Sequence, residues 1–412
     1  MNKKKIINDP VYGFITVPSE LIFDLIAHPY FQRLRNIKQL GMTHLVYPGA
    51  IHTRFHHALG AMHLMGMAIE TLKAKGHEIS AAEEEAVTIA ILLHDIGHGP
   101  YSHALEHTIV EGISHEDISA LLMDNLNLEF NNRLELALQI FNNKYHRIFF
   151  HQLVSGQMDI DRLDYLNRDS FFTGVSEGII GFDRIIKMLD IANGQLAIEV
   201  KGIYSVEKFL IARRLMYWQV YLHKTVVAAE QMLVKILDRA KHLASNGKKL
   251  FATPSFSYFL NNSISKADFK NDPQILECFT LLDDYDIFTS VKVWAKEDDF
   301  ILSTLCKHLL SRSLYQVEIT NNAPGEETKN KLIAKALDKY HINEGEVSYF
   351  VFTNTIKNNA YKVGAENINI LMKDGSVKDI TEASDNSSLE ALSKTVEKHI
   401  LCYIKDLKHT EQ

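Results

Sequence analysis

The chain has 412 residues, enough for two or three domains of roughly 100–200 residues each. Apolar residues are 46% of it and charged residues 23%, which excludes global disorder and a fibrous repeat. With 44 Lys+Arg against 51 Asp+Glu the net charge is −7, so there is no overall basic field for duplex nucleic acid.

Asn8-Asp9-Pro10 is a turn signal and Phe14–Val17 favours a strand, so residues 1–20 read as a short hairpin or arm. The charged start leads into no apolar stretch, and no secretory leader is expected. From Ser19 to about residue 245 the apolar period is helical. Helices are expected over Glu20–Ala27, Phe31–Leu40, Thr53–Lys75, Ala81–His94, Ser102–Ile109 and His115–Asn125. Breaks fall at Pro29, Pro48-Gly49, Gly76, Gly97–Pro100 and Gly112. A longer pair follows, Ser205–Tyr221 and Lys224 to about Ala244. The longest apolar run, Val87–Leu93 with Thr88 inside it, falls far short of the ~20 residues a membrane span needs.

The pattern changes after Asn246. Mixed helices and loops over 253–300 precede strand-like runs at Leu314–Thr320, Val347–Thr355 and Ile368–Met372, with a polar helix Glu326–Lys339 between the first two. Lys373-Asp374-Gly375-Ser376 reads as a hairpin turn. Residues 384–389 read as a solvated loop before a final helix. The expected fold is mostly α, a multi-helix region over 1–245 followed by a smaller α+β region over 246–412. Cys278, Cys306 and Cys402 form neither a zinc spacing nor a disulfide framework, which points to a reducing cytoplasm.

Histidine is the compositional oddity: 11 of the 20 lie between His44 and His115. Imidazole serves both metal ligation and proton transfer near neutrality. His94-Asp95 closes an apolar helix; alone the pair is a weak signal and reads more readily as a capped helix end with a hydrogen-bonded His. His57 on an earlier helix and Asp161 on a later one complete two nitrogens and two oxygens, which leaves positions open for water and a phosphate oxygen. His98, His103 and His115, with Glu106, form a second group suited to proton transfer or water orientation. His103-Ala104-Leu105-Glu106-His107 also matches the inverted zinc-protease spacing, but that reading leaves His57, His94, Asp95 and Asp161 without a role. Arg162 can grip phosphate, and Tyr165 and Asp169 share a helical stripe with Asp161. Arg213, Arg214, Tyr217, Tyr221, His223 and Lys224 form a basic, aromatic segment. It suits either a triphosphate or a solvated helix face.

His57…His94-Asp95…Asp161 resembles the signature of the HD-domain phosphohydrolases. Longer blocks occur in order: Phe31-Gln32-Arg33-Leu34-Arg35-Asn36-Ile37-Lys38-Gln39-Leu40-Gly41, Arg54-Phe55-His56-His57, His94 through His103, and Asp159 through Tyr165. These are similar to the dNTP triphosphohydrolases, the group that includes dGTPases and the human SAM-and-HD-domain enzyme, over residues 5–240. The resemblance implies hydrolysis of a dNTP to deoxynucleoside and tripolyphosphate. It implies one divalent metal (Mn, Mg, Fe, Ni or Zn) on His57, His94, Asp95 and Asp161, with His98, His103, His115 and Glu106 catalytic. Gln39 and Leu40 match deoxyribose contacts. Arg54, Arg162 and Lys224 match triphosphate positions, and Tyr165, Asp169 and Tyr221 the sugar pocket. Tyr217 stands where the human-type enzyme has a histidine. Lys5, Asn8, Gln32 and Arg35 match part of an activator-nucleotide site at subunit contacts, while Ala27 replaces the aspartate that reads guanine there. Homo-oligomers are implied; a membrane is not, and nucleic acid is not indicated. The contrasting readings are an HD phosphohydrolase of nucleoside monophosphates, cyclic dinucleotides or alarmones, and a non-catalytic HD protein that binds nucleotide or single-stranded nucleic acid.

Overall fold

The computed structural model describes residues 5–101, 108, 110, 112–358, 361, 364, 367–386 and 394–408. A hairpin opens the chain, with β1 (Ile6–Asp9) antiparallel to β2 (Gly13–Thr16). Asp9 shapes its turn by accepting from the Val11 and Tyr12 amides at 2.9 and 3.0 Å.

The helical body follows: α1 (Glu20–Ala27), α2 (Pro29–Gln32), α3 (Arg54–Ala74), α4 (Ala81–Leu93), α5 (His115–Glu129), α6 (Glu135–Phe141), α7 (Ile148–Val154) and α8 (Ile160–Thr173). The helices α3, α4, α5 and α8 start on legible caps. Thr53 and His56 form a capping box at α3, Ser80 and Glu83 at α4, and Ser114 and Asp117 at α5. Asp159 caps α8 by accepting from the Arg162 amide. α3 packs against both α4 and α8. The run Ala86–Leu93 of α4 is buried without a break, so the last two turns of this helix are core on every face. Each such Leu or Ile contributes about 1.5–3 kcal/mol.

Next come α9 (Phe182–Lys187), β3 (Leu189–Ala192), β4 (Gln195–Glu199), α10 (Ile203–Met216) and α11 (Lys224–Ser245). Helices α12 (Pro254–Asn261), α13 (Lys266–Asn271), α14 (Pro273–Thr280), α15 (Asp284–Trp294) and α16 (Phe300–Leu310) lead to β5 (Gln316–Thr320) and α17 (Glu326–Tyr340). The chain ends in β6 (Val351–Asn358), β7 (Asn369–Leu371), β8 (Val377–Asp379), α18 (Ile380–Ala383) and β9 (Val396–Tyr403). The sheets are small, in strand order β3-β4-β7-β8 and β5-β9-β6. The fold is mostly α with a small α+β part.

One sheet crosses the boundary expected at 245/246. β4 pairs in parallel with β7, Ile198 opposite Ile370. α11 also packs on α16 and β5.

Three expected helices differ. Phe31–Leu40 does not continue as a helix: after α2 a 3₁₀ turn, Arg33–Asn36, opens into extended backbone at Ile37. The cause is lateral pairing, since Arg54 N–H bonds Ile37 O and Gln39 N–H bonds His52 O, both at 3.0 Å. The helix expected to Tyr221 stops at Met216 and continues as a π turn, Tyr217–Tyr221. The final helix is instead β9, the central strand of its sheet, with Ile400–Tyr403 buried between β5 and β6. Expected helix Ser102–Ile109 lies outside the described residues apart from Thr108.

Candidate active site

α3, α4 and α8 converge at one point. His57 Nε2 lies 3.0 Å from Asp161 Oδ1 and 3.8 Å from Asp95 Oδ2. His94 Nε2 is 3.4 Å from Asp95 Oδ1, from Asp161 Oδ1 and from His57 Nε2. His57 Nδ1 bonds Asp164 Oδ2 at 2.7 Å, and His94 Nδ1 bonds the Ile91 carbonyl at 2.6 Å. A carboxylate and a carbonyl only accept, so both Nδ1 atoms carry the hydrogen and both Nε2 atoms turn lone pairs toward the carboxylates. Two imidazole nitrogens and two carboxylates facing one another are all acceptors, which only a cation or protons can reconcile. The donor set therefore fits a divalent metal.

Protons compete for the same place. Burial opposes charge on His57, but bonds to Asp161 and Asp164 outweigh it and hold the imidazole up to about 10. His94 is also raised, against burial, mainly by Asp95 and Asp161. Asp95 is buried yet held well below the usual carboxylate range by His98, His94 and Arg54. Metal binding here must release protons.

The outer layer is a buried charge chain. Arg168 donates to Asp164 through Nε at 3.0 Å and to Asp9 Oδ2 through Nη1 at 2.7 Å. Gly60, one turn after His57, admits it: a Cβ there would overlap both Arg168 Nη2 and Asp164 Oδ1.

A second glycine builds the other half. A Cβ on Gly97 would overlap the His115 carbonyl and the Ser119 amide. Its absence lets the loop after Asp95 lie directly on α5. Ser119 Oγ fastens the two, donating to the His94 carbonyl at 2.7 Å and accepting from the Gly97 amide at 2.9 Å. This brings the His98 and His115 rings together, tilted by 35° with centroids 3.8 Å apart, and puts His98 Nδ1 3.4 Å from Asp95 Oδ1. Asp95, His98 and His115 form a second triad with metal-ligand spacing beside His57, His94 and Asp161.

A cavity of about 450 Å³ opens onto these groups. Its wall includes Gln39, Leu40, Arg54, Asp95, His98, His115, Asp161, Tyr165, Asp169, Tyr217 and Tyr221. Arg54 donates to Asp95. Asp169 bonds His52 and the Tyr221 hydroxyl, each at 2.8 Å. The Tyr165 and Tyr221 rings meet edge to face at 6.3 Å. Gln39 Oε1 is buried without a hydrogen-bond partner among the described residues. The π turn brings Tyr217, Tyr221 and Leu222 to the wall together.

Arg162 and Lys224 are not on that wall. Arg162 is held by Asp159 and the Gly156 carbonyl. Lys224 is exposed at the first position of α11. His103, Glu106 and the protease-like spacing fall outside the described residues. Of the activator set, Gln32 and Arg35 bond each other at 2.8 Å, and Lys5 and Asn8 are exposed at and just before β1. Residues not singled out from sequence include Asp164 and Arg168, with i, i+4 spacing as their signal, and His52 and Glu230, which carry no local signal. Among the described residues no helix is long and apolar enough to cross a membrane.

The chain also resembles known proteins. The HD domain model matches residues 54–169, and the HD associated region model matches residues 180–252. The chain belongs to the HD-domain phosphohydrolases. A crystal structure of a phosphohydrolase from Bacteroides thetaiotaomicron has a TM-score of 0.94 at 54% identity, over 97% of this chain and 99% of that one. The uncharacterized protein YwfO of Bacillus subtilis is 34% identical over 100% of this chain and 96% of its own length. The deoxynucleoside triphosphate triphosphohydrolase SAMHD1 homolog of Dictyostelium discoideum is 30% identical over 66% of this chain and 56% of its own length.

Proposed function

We propose that this chain hydrolyses deoxynucleoside triphosphates to deoxynucleoside and tripolyphosphate. One observation carries the reading: a single cavity is walled by the metal-facing Asp95 and Asp161, by Arg54 and Arg213, by His98 and His115, and by Tyr165, Asp169 and Tyr221. That combination suits phosphates at one end and a sugar at the other. A divalent cation on His57, His94, Asp95 and Asp161 would supply Lewis-acid polarisation and an activated water. Arg54 and Arg213 neutralise phosphate oxygens. His98 and His115 orient water for attack at the α-phosphorus and return a proton to the departing 5′ oxygen. Gln39 and Asp169 hold the sugar, and the Tyr165–Tyr221 pair limits room at its 2′ carbon. The fold spends most of its effort on positioning and charge neutralisation.

The same reading places an activator nucleotide at Lys5, Asn8, Gln32 and Arg35 in a homo-oligomer. Arg35→Ala with unchanged activity and assembly removes that part.

One observation favours a substrate with fewer phosphates: Arg162 and Lys224 stand off the cavity wall. Product identity decides. Purified protein with manganese or magnesium meets each of four dNTPs and GTP, singly and mixed, and products are separated by ion exchange. Tripolyphosphate, abolished by chelator, supports the reading. Pyrophosphate or single phosphate instead sinks it.

A further inference from the structure

Glu230 is the acidic side chain on the cavity wall that the chemistry above leaves idle. Asp95 and Asp161 face the metal position, and Asp169 is taken by His52 and Tyr221. Glu230 comes from a different helix, α11, and lies against the turn that begins at Gly41. A methyl group on Gly41 would stand 3.7 Å from Glu230 Oε1 and 3.6 Å from the Tyr101 carbonyl oxygen. That corner of the cavity therefore presents acceptor oxygens. Among the described residues no hydrogen bond or ion pair engages the Glu230 carboxyl, and burial alone pushes it up to about 7. Only the ionised form offers two acceptors, and a ligand that brings N–H donors stabilises that form over the neutral acid.

The occupant follows from charge and pattern. A phosphate is repelled by a carboxylate and belongs with Arg54 and Arg213. A sugar hydroxyl is served by Asp169 and Gln39. What remains of a nucleotide is its base. A carboxylate accepts on two oxygens side by side, so it matches two adjacent donors. Guanine offers them, its ring N1–H beside its exocyclic amine. Adenine and cytosine set a ring acceptor beside the amine, and thymine flanks its N–H with two carbonyls.

We infer that Glu230 reads the nucleobase and favours guanine, with its two carboxylate oxygens accepting from N1–H and the 2-amino group. This rests on the nucleotide reading of the cavity. It makes Glu230 a specificity residue rather than a catalytic one.

The test compares wild type with Glu230→Gln, which trades one acceptor for a donor and so matches adenine or cytosine. We measure kcat/KM for dGTP, dATP, dCTP and dTTP. Wild type is expected to favour dGTP, and the dGTP:dATP ratio is expected to fall about tenfold or more in the variant. Equal ratios in both proteins, with turnover retained, overturn the inference and leave the hydrolase reading standing. In parallel, the manganese-loaded proteins are titrated with phosphate-free deoxyguanosine and deoxyadenosine by calorimetry. If no triphosphate is cleaved but deoxyguanosine still prefers wild type about tenfold, the hydrolase reading fails and base recognition stands. Nucleosides that bind both proteins alike count against it. Should Glu230→Gln not fold, Glu230→Asp retracts the acceptors by one methylene, and an undiminished preference for guanine then overturns the assignment.

Discussion

The two ends of the cavity are built differently. At the metal-facing end His57 and His94 are locked from behind: His57 by Asp164, Asp164 by Arg168, Arg168 by Asp9, and His94 by the Ile91 carbonyl. His57, Asp164 and Arg168 are fully buried. At the other end Gln39, Leu40, Tyr165, Tyr217, Tyr221 and Glu230 are half-buried, two of them, Tyr217 and Tyr221, on a π turn. The contrast teaches where rigidity is needed. A cation demands fixed ligand geometry, and a fixed geometry needs a supporting layer. The end to which we assign the sugar and base is built of less tethered groups, such as Gln39, whose Oε1 has no hydrogen-bond partner among the described residues.

The sharpest way to break this comparison is Asp164→Ala. It leaves the buried Arg168 guanidinium with Asp9 as its one carboxylate partner and frees His57, so a stability loss of about 3 kcal/mol is expected, with roughly ten- to hundredfold weaker metal binding. Thermal unfolding and calorimetric metal titration report the two effects. A loss under ~1 kcal/mol would mean the supporting chain is ornamental. Tyr221→Phe probes the looser end. It removes one bond to Asp169 and is expected to cost about 1 kcal/mol in stability, with a drop in kcat/KM for dNTPs and no change in metal affinity.

A smaller effect is expected at the cap of α4, the helix that delivers His94 and Asp95. Glu83 is held down to about 2: burial opposes this, but bonds from Ser80, Arg147 and Tyr145 prevail. Its folded value lies below the unfolded one, so its contribution is present above the ordinary carboxylate range and is lost as pH falls toward 2. Glu83→Gln is therefore expected to melt lower than wild type at pH 7, the gap closing in acid. A gap that does not vary with pH would assign the effect to packing. The smallest change belongs to Lys224→Ala. That side chain is exposed and off the cavity wall, so stability within about 0.5 kcal/mol of wild type is expected. A large loss of turnover would show that Lys224 reaches substrate.

What the sequence discloses follows the range of the forces involved. Helices α1, α3 and α4 are legible because caps and apolar period are local, and the hairpin at Asp9-Pro10 because turn chemistry is local. The grouping of His57, His94, Asp95 and Asp161 can be raised from residue chemistry and is strengthened by the resemblance, but no local signal fixes it, since three separate helices bring them together. Asp164 and Arg168 lie at i, i+4 in the same run as Asp161, yet nothing nearby says that Asp164 orients His57. β9 hides because its partners, β5 and β6, are remote in sequence, and Val396–Tyr403 has no marked alternation. Ile37–Leu40 and the π turn depart from the helical pattern because lateral pairing and the cavity override propensity.

The shared sheet has a consequence for how this chain can be divided. Cutting it after the HD-associated segment would strip β7 from β4 and expose the α11 surface that α16 and β5 cover. A raw strand edge beside bared apolar surface is a template for aggregation. The α+β part thus covers a strand edge and an apolar helix face of the helical part, so a truncation that keeps only the helical part has to replace that cover.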